Sequence, residues 1–165
     1  MIEVGLALTV LVIALAAMSA SSMRMHGLRR SNRDRTVAQN AVQTIAENVQ
    51  SISRAGVGDP GGWGPHVIAA LSVGGELGTT FDVPELTPRA GETHVGSIQV
   101  VRDETTTDAV LGVDLGLPRD LNGDGDAGDT GVGTAARILP VIVRVRWHSH
   151  AGDQEISHPF YIVGF

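Results

Sequence analysis

Asp120-Leu121-Asn122-Gly123-Asp124-Gly125-Asp126-Ala127-Gly128-Asp129 holds the densest oxygen chemistry in the chain. Asp120, Asn122 and Asp124 alternate, and alternate side chains of a tight loop converge on one point. A hard cation takes about six to eight oxygens at ~2.3–2.6 Å, so this stretch is a candidate calcium loop over residues 120–131. Gly125 permits the sharp turn, and Asp126 would lend its backbone carbonyl. Asp129 is the remaining carboxylate. Left alone, these acids repel one another, and a cation would relieve that. The competing reading is a solvated, flexible acidic turn.

The spacing resembles the opening of an EF-hand or dockerin-type loop. It then departs from that pattern. Gly131 stands where a bidentate carboxylate belongs, and Asp129 substitutes only with altered loop geometry. No helices are expected on both sides. Other constellations are weaker. His148, His150 and His158 gather near a strand end and raise zinc as a minor reading beside ordinary surface histidines. No G-x-S-x-G elbow and no P-loop is present. There is no cysteine, which excludes thiol catalysis, disulfides and Cys-based zinc sites. With no nucleophile or acid/base pair in view, the chain is not expected to be an enzyme. Its net charge of −6 argues against a nucleic-acid partner. All its basic residues are arginines.

Glu3 poses the other chemical question. It opens an apolar run that continues through Ser22, and the next charge is Arg24. Roughly 19 uncharged residues at ~1.5 Å each span ~28 Å of helix, about the hydrocarbon core of a bilayer. A carboxylate at the mouth of such a helix calls for a partner, because pushing it to the bilayer centre costs about 2.5–3.5 kcal/mol. Nothing basic stands near it in the sequence, which points to assembly. The basic cluster Arg24, Arg29, Arg30, Arg33 and Arg35 follows the apolar run. A signal peptide has the reverse order. A plain anchor of this layout would keep its basic flank in the cytoplasm. The alternative is a basic leader ahead of residue 1 that has been removed. The arginines have three readings: lipid headgroups, acidic residues of a neighbouring subunit, or solvent.

The segment Met1-Ile2-Glu3-Val4-Gly5-Leu6-Ala7-Leu8-Thr9-Val10-Leu11-Val12-Ile13-Ala14-Leu15 resembles the start of type IV pilins, in particular minor pilins and the pseudopilins of type II secretion. The likeness covers about the first 55 residues. In that family the glutamate is the fifth mature residue and here it is the third, which implies a mature start two residues earlier or a late start in this chain. The resemblance implies a structural subunit of an extracellular filament, copies of itself or other pilins as partners, a prepilin peptidase and a pilus assembly machine. It implies residence in the inner membrane before assembly. Glu3 would neutralise the N-terminal amine of an adjacent subunit. A secretion pseudopilin or low-copy minor pilin is the near alternative. A membrane-tethered calcium-binding module is the alternative from another class.

The elements that must position these groups follow from periodicity. Val37/Ala38, Ala41/Val42, Ile45, Val49 and Ile52 recur at helical spacing, and the helix is expected to stop near Ala55, before Gly56, Gly58 and Pro60. Residues 1–55 are therefore one helix, with an apolar half over 1–23 and an amphipathic half over 24–55. Residues 56–95 form a Gly- and Pro-rich connection with a brief helix or turn at 67–71. Residues 96–165 form the sheet of the head. Strands are expected at 95–102, 109–115, 137–147 and 156–165, with Pro140 marking an edge or bulge and 149–153 a hairpin turn. The fold class is α+β: a long N-terminal helix packed on a C-terminal antiparallel sheet, as in pilins.

Overall fold

The computed structural model describes residues 2–164, without the side chains of Ile2, Val4, Leu6, Ala7, Ala20, Met23 and Arg24. Helix α1 runs unbroken over Ile2–Ala55. Its C-terminal half carries the expected stripe: Ala38, Val42, Ala46, Val49 and Ile52 are buried, and Val37, Ala41 and Ile45 are half-buried. The stripe packs on a sheet of four antiparallel strands, in the order β1 (Thr80–Phe81), β2 (Gly96–Val100), β3 (Ile138–Ser149) and β4 (Gly152–Val163). Helix α2, Trp63–Ala70, follows the bend after α1. It is tied back to α1 by the Trp63 indole N–H, which donates to the Ser53 carbonyl at 3.0 Å and reaches its hydroxyl at 3.1 Å.

Strand β3 is central. Leu139, Val141, Val143, Val145 and Trp147 alternate along one face and join α1 and α2 in the main core. Ile142 faces the other way, into a second cluster with Val101, Leu111, Leu115, Leu117, Leu121 and Val132. The second face is covered over Ile138–Ile142, where β3 reads as a continuous apolar run, and opens beyond it at half-buried Arg144 and Arg146 and exposed His148. Pro140 lies just past the end of β2, whose pairing stops at Val100 opposite Val141, so its missing N–H interrupts no ladder with that strand. Its carbonyl still accepts the Val101 N–H at 2.9 Å.

Three expectations need correction. Residues 109–115 are not a strand. Asp108–Leu111 is a short helix, α3, ended by Gly112 at φ 67°. Asp108 then draws the chain back, its carboxylate accepting the N–H groups of Gly116 at 2.8 Å and Leu117 at 3.2 Å. The fourth strand is instead β1, which lies inside the connecting region. The last strand begins earlier than expected, at Gly152, because Ser149 and Gly152 pair directly across a two-residue turn. The Ser149 hydroxyl donates to the Gly152 carbonyl at 3.0 Å and closes that turn.

Close packing makes a contrast between two helical glycines. A methyl on Gly64 in α2 would run into the carbonyl oxygen of Gly133, whereas one on Gly5 in α1 meets nothing within 4 Å. Gly64→Ala is expected to destabilise the head by about 1–3 kcal/mol or more, outweighing its helix-propensity gain of about 1 kcal/mol. Gly5→Ala should leave head stability unchanged. Denaturant unfolding followed by Trp fluorescence checks both.

Candidate functional site

The acidic stretch is a loop between α3 and β3, packed against the second core cluster through Leu121, which is fully buried. Its anchor is a residue that sequence reasoning did not single out. Glu104 is 0% exposed and holds both ends of the loop. Its Oε1 accepts the Leu121 N–H at 2.6 Å and the Asn122 N–H at 3.3 Å. Its Oε2 accepts the Asp129 N–H at 3.3 Å, and its own N–H donates to the Asp129 carbonyl at 2.9 Å. In sequence, Glu104 falls just past the strand expected at 95–102, and no periodicity or motif separates it from its neighbours.

The five residues singled out divide their work. Asp120 is spent on the backbone: its two oxygens accept the N–H groups of Gly123 at 2.5 Å and Gly125 at 2.9 Å. Those bonds, Gly123 first, hold its carboxyl below the ordinary range. Asp126 accepts the Gly128 N–H at 2.8 Å. Asn122 joins the other two. Its amide nitrogen donates to Asp124 at 3.0 Å and to Asp129 at 2.9 Å, so it stands between two carboxylates as a neutral donor. Asp129 is the strained member. Partial desolvation raises its carboxyl above the ordinary range, and the negative charges of Asp124, Asp126 and Glu104 add to the effect. Glu104 does not stand in for the carboxylate missing at Gly131, because both of its oxygens are spent on backbone N–H groups. Among the described residues, no group of three or more His, Asp or Glu is already positioned to hold a metal ion. The donor chemistry is all oxygen, which suits a hard cation, but Asp120 and Asp126 are turned toward N–H groups.

The three histidines of the minor zinc reading have separate neighbours. His148 pairs with Asp153 at 2.8 Å, the His150 ring lies against Gly27, and His158 lies against Phe160 with ring centroids 5.4 Å apart.

Glu3 lies in the first turn of α1, exposed, where a carboxylate suits the helix dipole. It makes no ion pair among the described residues. The His150 ring of the head lies against α1 at Gly27, and the described side chains of the apolar half ahead of it are exposed. Leu8, Leu11, Ile13, Leu15 and Met18 are exposed there, Met18 at 73%. Among the described residues, no helix is long and apolar enough to cross a membrane. The side chains of Val4, Leu6, Ala7 and Ala20 fall outside that description, so the full run to Ser22 stands as read from the sequence.

Comparison with family models, curated proteins and solved structures found no match.

Two carboxylates of the loop are expected to respond in opposite senses. Asp120, with its pKa lowered, contributes stability that is present above the unfolded-state value near pH 4 and lost as pH falls through the folded one. Asp129, with its pKa raised, contributes stability present below the unfolded value and lost as pH rises through the folded one. Without divalent cations at pH 7, Asp120→Asn should lower the thermal midpoint and Asp129→Asn should raise it, and both differences should shrink below about pH 4. Glu104→Ala, which strands three backbone N–H groups, should cost at least about 2 kcal/mol in denaturant unfolding.

Proposed function

We propose that this chain is a structural subunit of a type IV pilus-like filament, anchored first in the inner membrane and then assembled through the apolar half of α1. The observation that carries the proposal is the single helix Ile2–Ala55, half of it buried on the sheet and half of it apolar and uncovered. A helix apolar on all sides has to be covered, by lipid or by other helices. Lipid covers it in the anchored subunit, and copies of the same helix cover it in the filament. Glu3 enters that bundle as a charge that has to be matched. An opposite charge on the next subunit supplies both attraction and register, because either charge alone is costly in a low-dielectric core. The α+β head then forms the outer surface of the filament.

Calcium belongs to the same proposal. The ion would be held by Asp124 and Asp129, with Asn122, Asp120 and Asp126 as further oxygen donors. Bound there, it would neutralise the repulsion that raises the Asp129 carboxyl. A hard divalent cation supplies charge neutralisation and rigidity at this loop and no redox chemistry.

Electron microscopy of material sheared from cells expressing the full precursor, wild type beside Glu3→Ala, tests the filament. Filaments containing this chain are expected in the wild type and should be reduced or absent in the variant. Protein confined to membranes in both would favour a pseudopilin of low abundance or a tethered calcium-binding module. For the loop, calcium in excess over EGTA should raise the thermal midpoint of the wild type, and Asp124→Asn should abolish that rise. Equal midpoints with and without calcium would leave the loop as an acidic turn.

A further inference from the structure

At the end of the head nearest the apolar half of α1, three segments meet. The helix brings Arg29, Arg30, Arg33 and Asp34. The segment ahead of β2 brings Glu85 to Thr87, and the β3–β4 hairpin brings Trp147 to His150. Between them lie two adjoining clefts of about 230 and 450 Å³ that share Arg30, Asp34 and Glu85. Two bonds fix this corner: Arg33 pairs with Glu85 at 2.5 Å, and the His148 N–H donates to the Thr87 carbonyl at 2.9 Å.

The charges at the corner do not cancel. Glu85 is taken by Arg33 and Asp153 by His148. Arg29 and Arg30 form no ion pair among the described residues, and Asp34, which lines both clefts, pairs with neither. Two unmatched guanidiniums thus face one carboxylate. Trp147 adds an unused donor. It lines the smaller cleft and is only 3% exposed, yet its indole N–H has no acceptor among the described residues. A buried donor without a partner calls for a ligand or water acceptor. Depth supplies the last constraint. The His150 ring lies against α1 at Gly27. Arg29 and Arg30 stand roughly 7–8 residues, or ~11–12 Å of helix, beyond the apolar run that ends at Ser22. The headgroup layer extends about 5–8 Å from the hydrocarbon edge, within reach of long arginine side chains that lean back along the helix.

We propose that these clefts seat the phosphate of an anionic phospholipid in the membrane that anchors α1, held by Arg29 and Arg30 with the Trp147 indole N–H as a third donor. Arginine suits this task because its planar fork bonds two phosphate oxygens at once. The seat rests on the membrane-anchored stage of the proposed function and adds to it a lipid preference and a fixed height of the head above the bilayer.

The full chain, reconstituted into vesicles of phosphatidylcholine with and without phosphatidylglycerol, tests the seat through the thermal midpoint of the head, followed by near-UV circular dichroism. Ligand binding to the folded state raises that midpoint. Several degrees of stabilisation are expected with phosphatidylglycerol. Arg29→Gln/Arg30→Gln should remove the difference without lowering the midpoint in pure phosphatidylcholine, and Trp147→Phe should reduce it. Asp34→Asn should enlarge it, and Arg102→Gln, at the far end of the head, should leave it intact. Equal midpoints in the two lipids would overturn the proposal, as would equal losses in Arg102→Gln and the double variant. Inorganic phosphate reproducing the shift in phosphatidylcholine vesicles would reassign the seat to a soluble anion. A chain that floats with neither vesicle would defeat the anchored stage itself, a failure distinct from equal midpoints in a chain that floats with both.

Discussion

The head depends on the contact between the amphipathic half of α1 and strand β3. Ala38, Val42, Val49 and Ile52 meet the face of β3 that carries Val141, Val143, Val145 and Trp147. A domain of this size has a thin core, and without disulfides it has few other ways to hold a sheet of four strands. Apolar burial stabilises at about 25 cal/mol per Å², and most of the buried residues of the main cluster lie on or against that face. The other pieces are arranged around it. α2 closes one end through Trp63, and the loop segment from Leu111 to Val132 covers the opposite face of β3. One helix thereby carries two solvents' worth of pattern, one half set by the core it covers and the other apolar, with its described side chains exposed.

That division decides what was legible beforehand. Period 3.6 in α1 and the near-continuous apolar run of β3 are burial patterns, and burial patterns are written in residue type. The helix end at Ala55 was legible because Gly56, Gly58 and Pro60 stop a helix by backbone chemistry. β1 escaped notice because two residues pair only where a neighbouring strand offers an edge, here Ser97 and Gly96. The segment 109–115 misled because its apolar residues fit a short helix and a turn as well as a strand, and the choice is made by Asp108 through hydrogen bonds seen only in three dimensions.

The acidic loop shows the same limit at a finer scale. Its donors were visible as a spacing. What organises them was not, because Glu104 acts across a separation of 17 residues to Leu121 and 25 to Asp129. A buried carboxylate that accepts backbone N–H groups from both ends of a loop acts as a clasp. It fixes where the loop begins and ends while leaving Asp124 and Asp129 crowded in the middle. The crowding is local, so a cation or a proton can relieve it without disturbing the clasp or the core beneath Leu121.

β4 ends the sheet, and among the described residues no strand lies beyond it. A 12-residue terminal strand is a template for any second strand that drifts near. This one carries Asp153 and Glu155 near its start and Pro159 in its middle, opposite Ile142. Charges and a missing donor make it a poor neighbour for another β4. In the membrane-anchored subunit proposed above, heads held side by side would collide repeatedly without fusing their sheets. The choice of contact would then fall to the helices, leaving the same chain sticky along one axis and inert around its rim.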